Sequence, residues 1–317
     1  MMATASVLLK MSPGHIWSSR LHMKTTLLYF EDYQDPALRL AQQLAVPCQA
    51  IELHRFPDGE SRIRLPDTLT EHVIVCRSLH EPNHKLIELM LVAKTAREMG
   101  VRQLTLVAPY LCYMRQDIAF NSGEAISQKI IGQYLAGLFD NLVTVDPHLH
   151  RVHTLGEAVP CKQSLSLSAT RLLGEFLATH QQHYILIGPD EESQQWVSTI
   201  AETGGFPYVI AHKTRFADKH VKIELPEVNV QHAHVVLVDD MISTGHTMRE
   251  TAQQLFQQGA TSINCLVTHA LFAQDTLSML RETGIMSIWS TDSIIRTESV
   301  VQLAELLADG IRSLKLK

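Results

Sequence analysis

The segment that decides the fold is residues 235–247, and it reads VVLVDDMISTGHT. The four aliphatic residues Val235–Val238 predict a buried parallel strand, with Asp239 and Asp240 at its carboxyl end. A turn of small and hydroxyl-bearing residues follows, and helical spacing resumes over Thr247–Gln257. Because ligands of open α/β sheets bind beyond the carboxyl ends of the strands, this segment predicts a ligand site.

The residue types in this turn suit a phosphorylated sugar. The backbone N–H groups of a turn and of a helix N-terminus bind phosphate, and Ser243, Thr244 and Thr247 add hydroxyl donors. Two acids repel a phosphate, but they suit the hydroxyls of an attached sugar or a magnesium ion. The alternative is a plain strand end followed by a helix N-cap, where Asp and Ser are common.

The rest of the chain repeats the alternation of strand and helix. Apolar runs predict strands, and segments with helical spacing lie between them, which indicates an α/β fold with mostly parallel sheets flanked by helices. The alternation runs twice, which predicts tandem domains over 23–160 and 161–317, with a last helix that is free to pack on either one. Residues 1–22 are predicted to be a dispensable extension. The predicted strands are Thr26–Phe30, His72–Cys76, Gln103–Ala108, Leu142–Val145, Tyr184–Ile187, Val235–Val238 and Ile263–Thr268.

Composition restricts the class of protein. The chain has 317 residues, of which 45% are hydrophobic and 19% charged, values typical of a globular protein with two domains. A formal net charge of −6 argues against a nucleic-acid partner, and no apolar run is long enough to cross a membrane. The five cysteines include no Cys-x-x-Cys pair, so we expect a reducing, cytoplasmic location.

The turn at 243–247 resembles the phosphoribosyl-pyrophosphate-binding loop of the type I phosphoribosyltransferase fold. Five further elements resemble motifs of one family with this fold, the ribose-phosphate pyrophosphokinases, in the order of that family. They are Arg55–Glu60 (RFPDGE), Pro109–Asp117 (PYLCYMRQD), Thr144–His148 (TVDPH), Gly188–Asp190 (GPD) and His212–Arg215 (HKTR).

The resemblance implies a reaction in which ATP and ribose 5-phosphate give phosphoribosyl pyrophosphate and AMP, with Mg²⁺ bound. It also implies a homo-oligomer, a dimer or a hexamer, because neighbouring subunits complete the nucleotide pocket in this family. Lys213 and Arg215 would be catalytic, on a polar stretch after a strand at Tyr208–Ala211, and His148 and Asp190 would hold the metal. The implied ATP-binding residues are Phe56, Asp58, Gly59, Glu60, Arg115, Gln116 and Asp117. The implied ribose 5-phosphate residues are Arg215, Asp239, Asp240, Ser243, Thr244, Gly245, His246 and Thr247.

The sequence departs from the family pattern at several of these positions. Ser243 stands where the family usually has Asp, His246 where Gly is common, and Glu191 and Glu192 where small residues often follow Asp190. The sequence of the loop after Asp117 resembles that of the archaeal-type members of the family more closely than that of the other members. His150 and His153 lie near His148, and a transition-metal site is the alternative to polar loop residues there. The alternative functions are a non-catalytic regulatory subunit and a base phosphoribosyltransferase.

Overall fold

The computed structural model describes residues 24–216, 220–224 and 228–316, and it confirms the α/β prediction. The predicted extension, residues 1–22, lies outside the described residues. The strands are β1 (Thr25–Tyr29), β2 (Cys48–Ala50), β3 (Glu52–Arg55), β4 (Ser61–Arg64), β5 (His72–Cys76), β6 (Gln103–Val107), β7 (Asn141–Val145), β8 (Gln163–Leu167), β9 (Tyr184–Gly188), β10 (Tyr208–Ile210), β11 (His212–Phe216), β12 (His220–Glu224), β13 (His234–Ile242), β14 (Ser262–Ala270), β15 (Ile285–Thr291) and β16 (Ser299–Val301).

The helices complete the two tandem units. They are α1 (Gln34–Leu44), α2 (Pro82–Glu98), α3 (Ser127–Ala136), α4 (Leu155–Ala158), α5 (Thr170–Ala178), α6 (Gln194–Gly204), α7 (His246–Gln257), α8 (Gln274–Glu282) and α9 (Ala304–Ser313), with short 3₁₀ helices at Glu31–Tyr33 and Glu191–Ser193. Among the described residues, no helix is both long enough and apolar enough to cross a bilayer.

Two six-stranded sheets form the framework, and every strand pair within them is parallel. The first has the order β2–β1–β5–β6–β7–β8, and the second β10–β9–β13–β14–β15–β16. Strands β5, β7 and β14 are buried along their whole length, as their continuous apolar runs predict for sheets covered on both faces. Two antiparallel hairpins, β3–β4 and β11–β12, stand outside these sheets.

The division between the sheets lies beyond the expected boundary at residue 160. Strand β8 pairs with β7, with Leu167 opposite Val145, so the first sheet includes residues up to Leu167. Helix α9 packs on the same domain, where Leu307 and Ile311 share a core with Leu40 of α1. The amphipathic edge strand β8, whose side chains are half-buried or exposed, lacks the apolar run by which the other strands were predicted.

One core joins the two domains and sets the position of the functional site. It includes Val107 and Val143 of the first sheet together with Val236 and Leu266 of the second. Polar contacts reinforce the joint, since the Asp146 carboxylate accepts a 2.9 Å hydrogen bond from the Thr268 hydroxyl. The carboxyl ends of β7 and β14 therefore lie side by side, and the loops that follow them face a common space.

Candidate active site

A cleft of about 320 Å³ opens at the carboxyl ends of β7, β9 and β13. It brings together residues from four separate segments of two domains, which follow or belong to β6, β7, β9 and β13. Among its lining residues are Arg115, His148, Asp190, Asp239, Asp240, Ser243, Thr244, Gly245, His246 and Thr247. All of the predicted ribose 5-phosphate residues with described side chains line this cleft, and so do both predicted metal residues.

The turn at 243–247 is a tight connection between β13 and α7. Gly245 has a φ of +71°, a left-handed conformation that disfavours side chains. A Cβ atom there would also lie 2.8 Å from the Thr276 Cγ2 atom, closer than van der Waals contact allows. The Gly245 carbonyl accepts the hydrogen bond of the Arg249 N–H, so the helix begins directly after the turn. Residues at the start of the helix line the cleft, where a phosphate site is expected.

Asp239 and Asp240 lie within β13 rather than after it. The strand continues to Ile242 because β14 pairs with it that far, with Asp239 opposite Val267 and Ile242 opposite Ala270. The predicted end at Val238 was too early, because paired backbone extends the strand beyond its apolar run. The two acids still lie at the carboxyl edge of the sheet, because β9 pairs with β13 only as far as Leu237.

The two acids have different environments. Asp240 is buried, and its Oδ2 atom lies 2.7 Å from the His148 Nδ1 atom. The Asp239 Oδ1 atom accepts a 2.9 Å hydrogen bond from the Asp240 N–H. Burial raises the pKa of Asp239 well above its ordinary value, and the negative charges of Asp240 and Asp190 raise it further. This excess of negative charge suits a cation or the hydroxyl groups of a sugar.

Asp190 follows β9 and caps the 3₁₀ helix Glu191–Ser193. Its Oδ1 atom accepts a 3.2 Å hydrogen bond from the Ser193 N–H, and its backbone carbonyl accepts the Ser193 hydroxyl. The cap directs the short helix, and with it Glu192, along the wall of the cleft. Of the two acids after Asp190, Glu192 thus lines the same cleft as the predicted metal residues.

His150 also belongs to this site, whereas His153 does not. The His150 Nε2 atom contacts the His148 Nε2 atom, and the His150 Nδ1 atom lies 3.4 Å from Glu192 Oε1. Within the described ranges, His148, His150 and Glu192 are the group whose geometry suits a metal ion. The transition-metal alternative raised from the sequence named His150 and His153, and of these two residues the structure brings His150 into this group.

A second cleft, of about 490 Å³, adjoins the first. Arg115 and Ser243 line both clefts, and the Arg115 Nη1 atom lies 3.4 Å from the Ser243 hydroxyl. Gln116 also lines the second cleft, where its Oε1 atom accepts a 2.8 Å hydrogen bond from Ser127. Asp117, the third predicted ATP-binding residue of this segment, lines neither cleft and instead forms a 2.6 Å ion pair with Arg151.

The remaining predicted ATP-binding residues lie at the tip of the β3–β4 hairpin. Gly59 has a φ of +95°, and the Asp58 carboxylate accepts the Glu60 N–H at 3.1 Å, so these residues shape the tip. Phe56 is 42% exposed and has an edge contact with His54. Phe56, Asp58, Gly59 and Glu60 do not line either cleft of the single described chain.

A buried charge network that the sequence analysis did not identify anchors this hairpin. Glu88 of α2 is fully buried and accepts hydrogen bonds from Arg55 and Ser61 of the hairpin and from Arg77. Burial alone would raise the pKa of Glu88, but the hydrogen bonds from Arg55 and Arg77 bring it below its ordinary value. The Glu88 carboxylate therefore stays ionised and holds both strands of the hairpin to α2 at Arg55 and Ser61, beside the tip.

Lys213 and Arg215 lie on a strand, not on the expected polar stretch without regular structure. The backbone of β11 pairs with β12, with Lys213 opposite Ile223 and Arg215 opposite Val221. The alternation of β-branched and polar residues in His220–Glu224 explains the pairing. The hairpin follows β10, whose carboxyl end lies at the same edge of the second sheet as the first cleft. The side chains of Lys213 and Arg215 lie outside the described part of the chain.

Comparisons with known proteins agree with this arrangement. Residues 25–138 match the family model for the N-terminal domain of ribose phosphate pyrophosphokinase, and residues 163–283 match the phosphoribosyl transferase domain. The chain is 34% identical to the ribose-phosphate pyrophosphokinase of Methanopyrus kandleri over 280 residues, which cover 87% of this chain and 94% of that protein. It is 31% identical to the Methanosarcina acetivorans enzyme of the same name, over 88% of this chain and 96% of that protein.

A solved structure has the same fold. The phosphoribosylpyrophosphate synthetase from Mycobacterium smegmatis superposes with a TM-score of 0.76 at 22% identity, covering 92% of this chain and 98% of that one. The two-domain α/β prediction and the predicted family resemblance are therefore both confirmed.

Proposed function

The chain belongs to the ribose-phosphate pyrophosphokinase family, and on that premise we propose that it transfers the pyrophosphoryl group of ATP to the anomeric hydroxyl of ribose 5-phosphate. The hydroxyl oxygen forms a bond to the β-phosphorus and loses its proton, while the bond from that phosphorus to the oxygen bridging to the α-phosphorus breaks. AMP leaves with the bridging oxygen, and the sugar becomes phosphoribosyl pyrophosphate. The observation that carries the proposal is the convergence of the turn at 243–247, four carboxylates and Arg115 in one cleft.

The first cleft is the proposed site for ribose 5-phosphate. The 243–247 turn and the N-terminus of α7 would bind the 5-phosphate through N–H groups and hydroxyls. Asp239 and Asp240 would accept hydrogen bonds from the sugar hydroxyls. Arg215, whose strand follows β10 at the same edge, would contribute a fixed positive charge.

The second cleft is the proposed site for ATP. Arg115 lies between the two clefts, where its guanidinium group matches the phosphates of a nucleotide bound beside the sugar. Gln116 would contact the nucleotide within this cleft, and Asp117 would act indirectly by holding Arg151. Lys213 would neutralise the charge that develops on the transferring group.

The hairpin tip supports a homo-oligomer, a dimer or a hexamer. Phe56, Asp58, Gly59 and Glu60 line neither cleft of their own chain, and Phe56 has an exposed aromatic ring suited to stacking on an adenine. A neighbouring subunit would bring its hairpin tip to the ATP cleft. At low ribose 5-phosphate, mixed oligomers of Phe56→Ala and Asp239→Ala subunits should then be more active than either variant alone. If mixing restored no activity, the hairpin would not act in a neighbouring subunit.

Magnesium fits the oxygen donors at this site. His148 and Asp190 would hold the ion together with phosphate oxygens of the substrates, where it would neutralise charge on the transferred group. The excess of negative charge that raises the pKa of Asp239 is consistent with a cation nearby. The five cysteines are free, which supports a reducing, cytoplasmic location.

AMP formation tests the function and separates it from the two alternatives. We expect AMP to appear only when ATP, ribose 5-phosphate and a divalent cation are all present, and to fall sharply in Asp239→Ala when ribose 5-phosphate is not saturating. A regulatory subunit would form no AMP by itself. A base phosphoribosyltransferase would release pyrophosphate from phosphoribosyl pyrophosphate and a base, without ATP.

A further inference from the structure

Asp146 has a left-handed backbone conformation, which is uncommon for a residue other than glycine. Its φ is +37°, and it is followed by Pro147 and by His148, which lines the first cleft. Such a conformation persists where the surrounding contacts impose it, and it is frequent beside functional sites. The residues that hold Asp146 therefore determine the direction in which the backbone presents His148.

His269 of β14 holds the backbone at this point. Its Nε2 atom lies 3.1 Å from the Val145 carbonyl oxygen and 3.2 Å from the Asp146 carbonyl oxygen. Because carbonyl oxygens only accept hydrogen bonds, the Nε2 atom carries a hydrogen and shares it between them. The ring is 1% exposed, and its Nδ1 atom lies 2.9 Å from the Ser293 hydroxyl. Its orientation is therefore fixed from both sides.

A second residue of β14 holds the Asp146 side chain. The Thr268 hydroxyl donates a 2.9 Å hydrogen bond to the Asp146 Oδ2 atom, which also accepts the Ala169 N–H at 2.9 Å. The Asp146 N–H donates to the Leu167 carbonyl at 2.8 Å. The carboxylate and the carbonyl of Asp146 are thus both held from β14, and relaxation of its backbone would break buried hydrogen bonds.

The same pair of strands holds the His148 side chain. Strand β13 pairs with β14, with Met241 opposite His269, and Asp240 directly before Met241 contacts the His148 ring. The second domain therefore fixes His148 at two points. Asp240 holds its ring, and His269 holds the backbone that leads into it.

We propose that His269 is a positioning residue for pyrophosphoryl transfer, whose Nε2–H group keeps Asp146 left-handed and thereby keeps His148 directed into the first cleft. This inference rests on the proposed function, in which His148 acts at the phosphates of the substrates. His269 is not among the described residues that line either cleft, so it acts on the substrates only through the backbone of the first domain. A displacement of about 1 Å at a reacting group is enough to slow an enzyme by about 10²-fold.

Two amide variants separate this role from simple packing. His269→Gln carries an amide N–H to the place of the Nε2 atom, whereas the shorter His269→Asn reaches only the place of the Nδ1 atom and leaves both carbonyls without a donor. We expect kcat for AMP formation to fall about 10–100-fold in His269→Asn and to stay within about threefold of the wild type in His269→Gln. The KM for ribose 5-phosphate should be unchanged in both variants, because Asp239, Asp240 and the 243–247 turn remain.

His72→Asn is the matched control. His72 is also fully buried and lies within hydrogen-bonding distance of two hydroxyls, those of Thr25 and Thr105, but it stands at the amino end of β5, away from both clefts. This variant should lose stability and keep its kcat. If His269→Asn does not fold, Thr268→Val takes its place with the same expected fall in kcat, because it removes the other β14 hydrogen bond to Asp146.

Crystal structures of the two amide variants give a result that does not depend on activity. In His269→Asn the φ of Asp146 should become negative and His148 should lose its contact with Asp240, whereas both features should persist in His269→Gln. The inference is overturned if Asp146 stays left-handed in His269→Asn, if a folded His269→Asn keeps its kcat, or if kcat falls equally in His269→Gln or His72→Asn.

The proposed function is judged separately, by the wild type. AMP formation in the wild type together with an unchanged kcat in His269→Asn would keep the proposed function and remove the positioning role. A wild type that forms no AMP would contradict the proposed function, and the conformation of Asp146 in the crystal structures would then decide by itself whether His269 holds this backbone.

Discussion

The Nδ1 atom of His148 lies 2.7 Å from the Oδ2 atom of Asp240, across the boundary between the two domains. His148 follows the last residue of β7 in the first sheet, and Asp240 lies in β13 of the second. Neither domain alone contains both partners. The candidate site is therefore a product of domain packing, and the shared core that holds the sheets together also holds the site together.

Asp239→Asn should stabilise the folded protein at neutral pH. Burial and two neighbouring carboxylates raise the pKa of Asp239, so the folded state retains this proton at a pH where the unfolded chain has lost it. The stability contribution is present below about pH 4 and is lost as pH rises through the raised pKa. Denaturant unfolding should show the variant more stable at pH 7 and equal to the wild type near pH 3. Asp67→Asn, at a 90% exposed side chain, is the control and should change little; a variant less stable than the wild type at pH 7 would contradict the charge argument.

Gly245→Ala should impair both the fold and the binding of the sugar phosphate. The left-handed backbone and the contact with Thr276 make any side chain unfavourable, with an expected loss of about 1–3 kcal/mol in unfolding free energy. Gly156→Ala is the matched control, because a Cβ atom there meets nothing within 4 Å. Calorimetric binding of ribose 5-phosphate should weaken only in the Gly245 variant. Equal affinities in the two variants would mean that the turn does not hold the phosphate.

Glu88→Gln should destabilise the chain and separate the hairpin from its domain. The substitution removes the negative charge that pairs with buried Arg77 and with Arg55, and breaking a buried ion pair costs about 3–5 kcal/mol. Glu98→Gln, at the exposed end of the same helix, should have no such effect. Unfolding free energies measure the destabilisation of the chain, and the KM for ATP measures the displacement of the hairpin. A destabilised variant with an unchanged KM for ATP would show that the hairpin has no part in nucleotide binding.

Lys213→Ala should lower kcat by on the order of 10²–10³, the loss typical of one well-placed electrostatic group. Affinity for ribose 5-phosphate should change little, because the acids and the turn of the first cleft remain. Asp239→Ala should change kcat little and mainly weaken the binding of ribose 5-phosphate. Lys222→Ala, on the partner strand β12, is the charge-matched control. Single-turnover rates measured beside equilibrium binding distinguish these outcomes, and a near-normal rate in Lys213→Ala would remove its catalytic role.

Local patterns in the sequence predicted most of the framework. The apolar run at His72–Cys76 coincides with β5, and the helical spacing at Thr247–Gln257 nearly coincides with α7. Strand β5 is buried on both faces and helix α7 along one stripe, so the spacing of their apolar residues predicts their burial directly. The turn at 243–247 could also be predicted from the sequence, because its glycine and hydroxyl residues lie in one short segment with Asp239 and Asp240.

Features that depend on contacts distant in sequence could not be predicted. Edge strand β8 alternates polar residues with leucines, so it has no apolar run, and it becomes a strand because β7 offers a partner. In the sequence Glu88 is one of several charged residues on a helix, and its buried ion pairs with Arg55 and Arg77 depend on contacts that only the fold creates. The sequence marked His150 as a candidate metal residue, but its ion-pair contact with Glu192, which follows a strand of the other domain, could not be predicted.

The most direct test of the account follows the β-phosphorus of ATP. The chain is supplied with ribose 5-phosphate, a divalent cation and ATP labelled at the β-phosphorus, and the products are separated by chromatography. We expect the label to move to phosphoribosyl pyrophosphate while an equal amount of unlabelled AMP accumulates. If the label remained in ADP, or if no product formed in protein shown to be folded, the chain would not transfer a pyrophosphoryl group and the central claim would be wrong.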